Sequence, residues 1–152
     1  MTTVNDSAPV VVTGELMVAA PPEIVWEVLS GLSRWPDWNP DVKSVSVDGP
    51  IGPGTVFRWK AGPSNITSTL REVDAPRTLG WTGSSMGIHA GHAYRLEPRV
   101  GGTLVWTRES WDGLLPSLLR WPVRRMLQRT LDSGLAHLKV EAERRASGET
   151  PS

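Results

Sequence analysis

The feature that most constrains this sequence is a long amphipathic pattern near the C-terminus. Apolar residues recur there at steps of three and four, which is typical of one face of an α-helix; they are Leu119, Val123, Met126, Leu127, Leu131, Leu135 and Leu138. Proline is tolerated in the first turn of a helix, so Pro122 predicts a helix that begins there and ends near Arg145. That helix would be about 35 Å long. It follows a short separate turn at residues 114–119, and its apolar face needs a broad partner surface.

The preceding part of the chain predicts this surface as a β-sheet. A strand at residues 10–20 is followed by a helix that starts at Pro21-Pro22 and ends at Gly31, and residues 32–40 predict a short helix and a corner. Strand patterns separated by short turns then predict an antiparallel meander; they cover residues 42–47, 55–60, 65–73, 78–82, 88–96 and 103–111. The fold class is therefore α+β, with a curved antiparallel sheet of about seven strands around the long helix and two short helices after strand 1.

Length and charge limit the domain organisation and the class of partner. We expect one domain at residues 10–146, with disordered tails at residues 1–9 and 147–152. The 16 Lys and Arg residues balance the 16 Asp and Glu residues, so nucleic-acid binding is not expected. There is no cysteine for a disulfide or a thiolate site. No apolar run has membrane-spanning length, so we expect a soluble cytoplasmic monomer or homodimer without integral membrane association.

Several segments of the chain resemble the START-like superfamily, and its polyketide cyclase/dehydrase-like (SRPBCC) branch in particular. The segments that carry this resemblance are APPEIVWEVLSGLSRWPDWNP, GPGTVFRW, EVDAPRTLGW, GGTLVWTRESWDG and LDSGLAHLKVEAER. The resemblance covers about residues 10–146. It implies a helix-grip fold, in which a seven-stranded antiparallel sheet surrounds the C-terminal helix and a deep hydrophobic cavity lies between them. The superfamily includes aromatase/cyclases, lipid and quinone carriers and hormone receptors, so a shared fold leaves the function open.

Strand alternation indicates which side chains face this cavity. On strand 88–96 the more apolar set contains His92 and Tyr94. On strand 103–111 we place Thr107 and Glu109 inside, as the similar proteins do, which leaves Trp106 outside. With the inward face of the long helix, the predicted ligand-binding set is Phe57, Trp59, Trp81, His92, Tyr94, Thr107, Glu109, Trp111, Met126, Leu127, Thr130, Leu131 and Gly134.

The register of strand 65–73 is left open by its sequence. One parity contains Leu70 and Glu72, and the other contains Arg71. Aromatase/cyclases of the family carry an inward arginine on this strand, and alignment on Pro76 places that position at Glu72. The resemblance therefore implies that this chain lacks the arginine.

Small residues on the helix and tryptophans before the sheet each have two interpretations. Thr130 and Gly134 lie on the apolar side of the helix. Glycine inside a helix costs about 1 kcal/mol relative to alanine, so either close packing or a neighbouring ligand cavity is expected there. Trp35 and Trp38 either wedge the corner against the sheet or line the mouth of a pocket.

The residues that could perform chemistry are few. His89 and His92 would lie on opposite faces of their strand, His137 is distant in sequence and no carboxylate completes a set, so no metal site is predicted. Glu109 is a candidate general acid or base, or an anchor for a ligand hydroxyl; alternatively, it is a rim carboxylate or pairs with an arginine. His92 is a candidate proton acceptor or a hydrogen-bonded core histidine.

Two functions of different classes follow from these residues. The first is binding of a hydrophobic, ring-bearing small molecule (a lipid, a polyketide or a related compound) in a cavity between the sheet and the helix. The second is a cyclase or dehydratase that uses Glu109 and His92 as acid and base and needs no metal or organic cofactor. Four arginines on the long helix form a solvated face or contact acidic lipid or a partner; they are Arg120, Arg124, Arg125 and Arg129.

Overall fold

The structure, a computed structural model, describes residues 3–148. Of the predicted disordered tails, residues 1–2 and 149–152 lie outside the described residues. The elements are β1 (Val10–Val18), α1 (Pro22–Ser30), a 3₁₀ turn (Leu32–Arg34), α2 (Trp35–Trp38), β2 (Val42–Val47), β3 (Val56–Ala61), β4 (Ser64–Asp74), β5 (Thr78–Ser85), β6 (Ile88–Arg99), β7 (Gly102–Asp112), α3 (Leu114–Leu118) and α4 (Arg120–Ala146).

The seven strands form one sheet in the order β1-β7-β6-β5-β4-β3-β2, and every neighbouring pair is antiparallel. This arrangement confirms the predicted α+β helix-grip class. The long helix begins at Arg120, two residues before the predicted start, and keeps Pro122 in its first turn. No helix within residues 3–148 is both long and apolar enough to span a bilayer.

The helix α4 packs chiefly against β1 and α1. Its buried apolar residues follow the predicted stripe; they are Val123, Leu127, Leu131, Leu135 and Leu138. Each leucine buried in this way contributes about 1.5–3 kcal/mol relative to an exposed position. Because a sheet residue without a side chain allows the helix to approach, Gly14 of β1 lies beneath α4, where an added Cβ would be 3.0 Å from Leu135 Cδ1.

Trp35 wedges the corner after α1 against the sheet, as one of the two interpretations of the sequence predicts. Its side chain is buried, and its indole N–H donates a hydrogen bond of 3.0 Å to the carbonyl oxygen of Leu29. The ring lies edge-on to Phe57 and Trp59, with centroid distances of 5.8 and 5.5 Å. Such pairs contribute about 0.5–1.5 kcal/mol each beyond their buried area, so this corner is a fixed part of the core.

Residues 3–9, which the sequence predicts as part of a disordered tail, lie against the outer face of the sheet. Val4 is buried, and the backbone N–H of Asn5 donates to Ser110 Oγ at 3.0 Å. The sheet residue below is Gly91, where an added Cβ would be only 2.3 Å from the carbonyl oxygen of Thr3. Glycine at that position leaves room for the backbone of the segment, a tertiary contact that no local sequence pattern reveals.

Candidate functional site

The strand register brings the sheet residues of the predicted ligand-binding set onto one face. His92 pairs with both Glu109 and Trp81, and Tyr94 pairs with Thr107. Glu109 in turn pairs with Val12 of β1, which packs in one cluster with the α4 leucines. This is therefore the concave face; it holds Phe57, Trp59, Trp81, His92, Tyr94, Thr107, Glu109 and Trp111.

Aromatic rings enclose the imidazole of His92. Its centroid lies 4.7 Å from that of Trp81 and 4.8 Å from that of Tyr94. Trp81 continues this wall of rings through Phe57, at a centroid distance of 6.1 Å. The concave face thus places a wall of apolar rings around His92, most of it buried in the core.

Both ring nitrogens of His92 have polar neighbours. Thr107 Oγ1 lies 2.9 Å from His92 Nε2, and the two groups share a hydrogen bond. The same hydroxyl lies 3.0 Å from the carbonyl oxygen of Ala93. The other nitrogen, Nδ1, lies 3.4 Å from Glu109 Oε1.

Burial favours the neutral form of His92. Burial lowers the pKa of His92, and the nearby charge of Glu109 opposes that effect only in part. The second carboxylate oxygen of Glu109 accepts a hydrogen bond of 3.0 Å from Trp111 Nε1. Burial, together with the Glu109 charge, raises the pKa of the Tyr94 phenol, so that group stays a neutral hydroxyl. His92 Nδ1 and Glu109 Oε1 therefore lie side by side on the concave face, 3.4 Å apart.

The polar pair lies where the apolar core divides into two clusters. The first cluster contains Tyr94 and Leu135, and the second contains Trp111 and Leu131. On α4, Gly134 lies between Leu131 and Leu135 and is half-buried. An added Cβ at Gly134 would have no atom of another element within 4 Å. The helix therefore has open space beside it at this position.

The helix residues of the predicted set differ in exposure. Leu127 and Leu131 are buried, whereas Thr130 is exposed and Met126 keeps 49% of its surface in solvent. The Thr130 hydroxyl donates to the carbonyl oxygen of Met126. Apolar residues at steps of three and four define a broad face of the helix. This pattern does not predict which part of that face the sheet covers. Gly134 is thus the small helix residue next to the core.

The open register of β4 is settled by a bulge. Leu70 pairs with Trp81 and Glu72 pairs with Gly80, so Arg71 is the extra residue between them. Arg71 Nε donates to Thr82 Oγ1 at 2.9 Å on the outer face, and Glu72 accepts hydrogen bonds from Thr3 on the same side. Neither Arg71 nor Glu72 therefore reaches the concave face.

One residue of the concave face was missing from the predicted set. Ser68 is buried on the concave face, and its hydroxyl accepts a 3.0 Å hydrogen bond from Trp59 Nε1. This bond orients the indole of Trp59 within the aromatic wall. The sequence could have indicated this position, since Ser68 shares its parity with Leu70. It did not do so because the parity that faces the helix was left open for this strand.

The concavities described at the surface lie away from these residues. One of about 360 Å³ lies on the outer face, beside Arg71, His89 and Asp112. Another of about 310 Å³ lies near Pro22 and Gly101. Within the described part of the chain, no three His, Asp or Glu side chains come together as a metal site would require.

Solved structures that are distant in sequence share this architecture. The Zhui aromatase/cyclase from Streptomyces sp. R1128 has a TM-score of 0.80 at 21% identity, covering 92% of this chain and 98% of that one. A hypothetical protein from Helicobacter pylori has a TM-score of 0.80 at 16% identity, with 91% of each chain covered. A START superfamily protein from Mycobacterium smegmatis has a TM-score of 0.70 at 18% identity, covering 91% of this chain and 97% of that one. These likenesses show a common fold.

Sequence comparison gives the family. No curated protein matches the sequence. A family model described as polyketide cyclase / dehydrase and lipid transport matches residues 9–143, which include every strand and most of α4. This match, together with the helix-grip architecture, shows that the chain belongs to the polyketide cyclase/dehydrase and lipid transport family.

Proposed function

We propose that this protein binds a hydrophobic, ring-bearing small molecule, of lipid, polyketide or related type, between the concave face of the sheet and α4. The observation that carries this proposal is the open space at Gly134, a half-buried position on the helix that packs against the sheet. A helix optimised for stability alone would carry a larger residue there, because glycine in a helix costs about 1 kcal/mol relative to alanine.

The side chains around the division match such a ligand. Trp81 and Tyr94 stack on each other with centroids 5.9 Å apart and, with Trp111, supply apolar rings on which a flat molecule would stack. His92 Nδ1 and Glu109 Oε1, 3.4 Å apart, would interact with one hydroxyl of the ligand. We therefore expect preference for a molecule with an apolar ring system and a single well-placed donor.

Intrinsic tryptophan fluorescence provides the direct test, since Trp81 and Trp111 lie at the site. We would titrate the protein with fatty acids, flavonoids, quinones and aromatic polyketides. Saturable quenching that is selective for one class is the expected result. A linear response across the whole panel would contradict the proposal, because it would reflect non-specific contact with exposed tryptophans.

A matched pair of helix variants locates the binding site. Gly134→Leu places a branched side chain in the unoccupied space and should weaken binding strongly. Ala136→Leu adds the same side chain at an exposed position two residues away and should leave binding unchanged. Equal affinities for the two variants would show that the ligand lies elsewhere.

A second function is favoured by the contact of 3.4 Å between His92 Nδ1 and Glu109 Oε1. A neutral imidazole beside a carboxylate can accept a proton from a substrate and return it, which is the role of an acid–base pair in cyclisation or dehydration. Because the Arg71 side chain lies on the outer face, it cannot supply a positive charge on the concave face to bind polyketide oxygens.

Glu109→Gln distinguishes an enzyme from a carrier. In an enzyme, the substitution should abolish turnover of the ligand class found by fluorescence, while much of the stacking surface and therefore measurable binding remain. For a carrier, incubation of wild-type protein with that ligand should leave the ligand chemically unchanged by mass spectrometry.

A further inference from the structure

One end of the molecule exposes apolar side chains to an unusual degree. The short helix α3 buries Pro116 and turns its leucines outward, so that Leu114 and Leu118 retain 75% and 71% of their surface. Trp121, in the first turn of α4, is 71% exposed. Isolated exposed leucines are ordinary, but contiguous apolar residues at a surface mark an interaction site; the exposed set is Leu114, Leu115, Leu118, Leu119, Trp121 and Met126.

The same end carries a concentrated positive charge. Between Gly113 and Leu131 there is no acidic residue, although the whole chain has as many acidic as basic residues. None of the arginines in this stretch forms an ion pair with a described residue; they are Arg120, Arg124, Arg125 and Arg129. Arg125 lies over the ring of Trp121, 5.6 Å from its centroid.

Helix electrostatics make this placement unfavourable for stability. The N-terminus of a helix carries a partial positive charge, which favours acidic residues and disfavours cations. Here α4 has no acidic residue in its first turn and no side-chain cap, while Arg120 and Arg124 occupy its first two turns. Arginines kept at the unfavourable end of the helix, beside exposed leucines, indicate an external partner with negative charge.

We propose that residues 114–129, hereafter the basic–apolar end, dock the protein on an anionic lipid bilayer. A bilayer surface offers negative head groups for the arginines and acyl chains for the leucines, and tryptophan prefers the interface between them. A nucleic acid would satisfy the arginines but offer no apolar surface to Leu114 and Leu118. A symmetric second copy would bring two positively charged ends together, which is repulsive.

The location of the basic–apolar end is consistent with exchange of an apolar ligand. The chain runs from Trp111, at the end of the concave face, through Gly113 directly into α3. Gly113 also lies against the β5–β6 turn, since an added Cβ would be 2.4 Å from the carbonyl oxygen of Gly87, and this turn exposes Met86. Docking itself does not depend on the proposed ligand-binding function.

The test is flotation of the protein with vesicles of pure phosphatidylcholine or of phosphatidylcholine mixed with phosphatidylglycerol. We expect binding to the mixed vesicles, little binding to the neutral ones, and loss of binding as salt shortens the Debye length from about 10 Å at 0.1 M to about 3 Å at 1 M. Arg124→Gln with Arg125→Gln should lower the partition coefficient about 25-fold, at about fivefold for each arginine.

Matched control variants separate this surface from general effects. Arg58→Gln with Arg99→Gln removes the same charge from exposed positions outside the basic–apolar end and should bind vesicles like wild type. For the apolar component, Leu118→Ser should reduce binding several-fold, whereas Val100→Ser, at a fully exposed turn between β6 and β7, should not.

Three outcomes would overturn the proposal. These are no flotation with mixed vesicles, equal flotation with neutral ones, and equal losses in the control and test variants. Sedimentation of the protein alone checks for self-association. A concentration-dependent dimer that Leu118→Ser dissociates, without vesicle binding by the wild type, would assign this end to a second copy of the chain.

Discussion

Replacement of Gly134 by alanine is the sharpest test of the space beside α4. Alanine is favoured over glycine by about 1 kcal/mol in a helix interior. The added methyl group would meet no atom within 4 Å, so no steric term opposes that gain. We therefore expect Gly134→Ala to stabilise the protein by about 1 kcal/mol, which for a chain of this length raises Tm by about 2–4 °C.

Thermal and urea unfolding followed by circular dichroism would measure this effect. Ala136→Gly supplies the internal control, because Ala136 is exposed in the same turn of the helix and its replacement should lower stability by a similar amount. Destabilisation by Gly134→Ala would refute the reasoning, since it would mean that a neighbouring group already fills the space. In that case the observation on which the proposed function rests would also be wrong.

Three further results are expected. Trp35→Ala should destabilise the protein by about 3–5 kcal/mol in urea unfolding, because this ring is buried, whereas Trp121→Ala should change stability by less than about 0.5 kcal/mol. Burial lowers the pKa of His92 below 6.5, so the unfolded chain binds a proton at this residue more tightly than the folded protein does. The free energy of unfolding should therefore fall as the pH decreases below about 6.5. His92→Gln should make this pH dependence weaker, whereas His89→Gln, at an exposed position, should leave it unchanged. Glu109→Gln should weaken a hydroxylated ligand about tenfold or more in fluorescence titrations, while the affinity for its deoxy analogue should stay unchanged.

Local patterns predicted the fold well because its elements are specified locally. Each predicted strand was bounded by glycine, proline or aspartate turns, and the strands form in that order. Side-chain alternation also placed His92 and Glu109 on the concave face. The outward position of Trp106, which is unusual for so large an apolar ring, is explained by the structure: the Arg95 guanidinium lies 4.7 Å from its centroid and covers it.

Features that depend on contacts between residues distant in sequence could not be predicted from local patterns. The bulge at Arg71 shifts the parity of β4 by one residue, and neither parity of that strand was apolar enough to reveal it. The exposure of Thr130 depends on where the sheet ends beneath the helix. The packing of residues 3–9 depends on Gly91, whose missing side chain matters only after the outer face has formed. In each case the deciding contact joins residues remote in sequence.

The cost of the concave face in stability is itself an argument about function. Burial of His92 disfavours its charged form, although Glu109 lies 3.4 Å from its Nδ1. Gly134 weakens α4, the helix that packs against this sheet. Leucine or valine at these positions would make a more stable protein of the same fold. These departures from a stable core fit the proposed function, in which a ligand would bond to the polar pair and fill the space at Gly134.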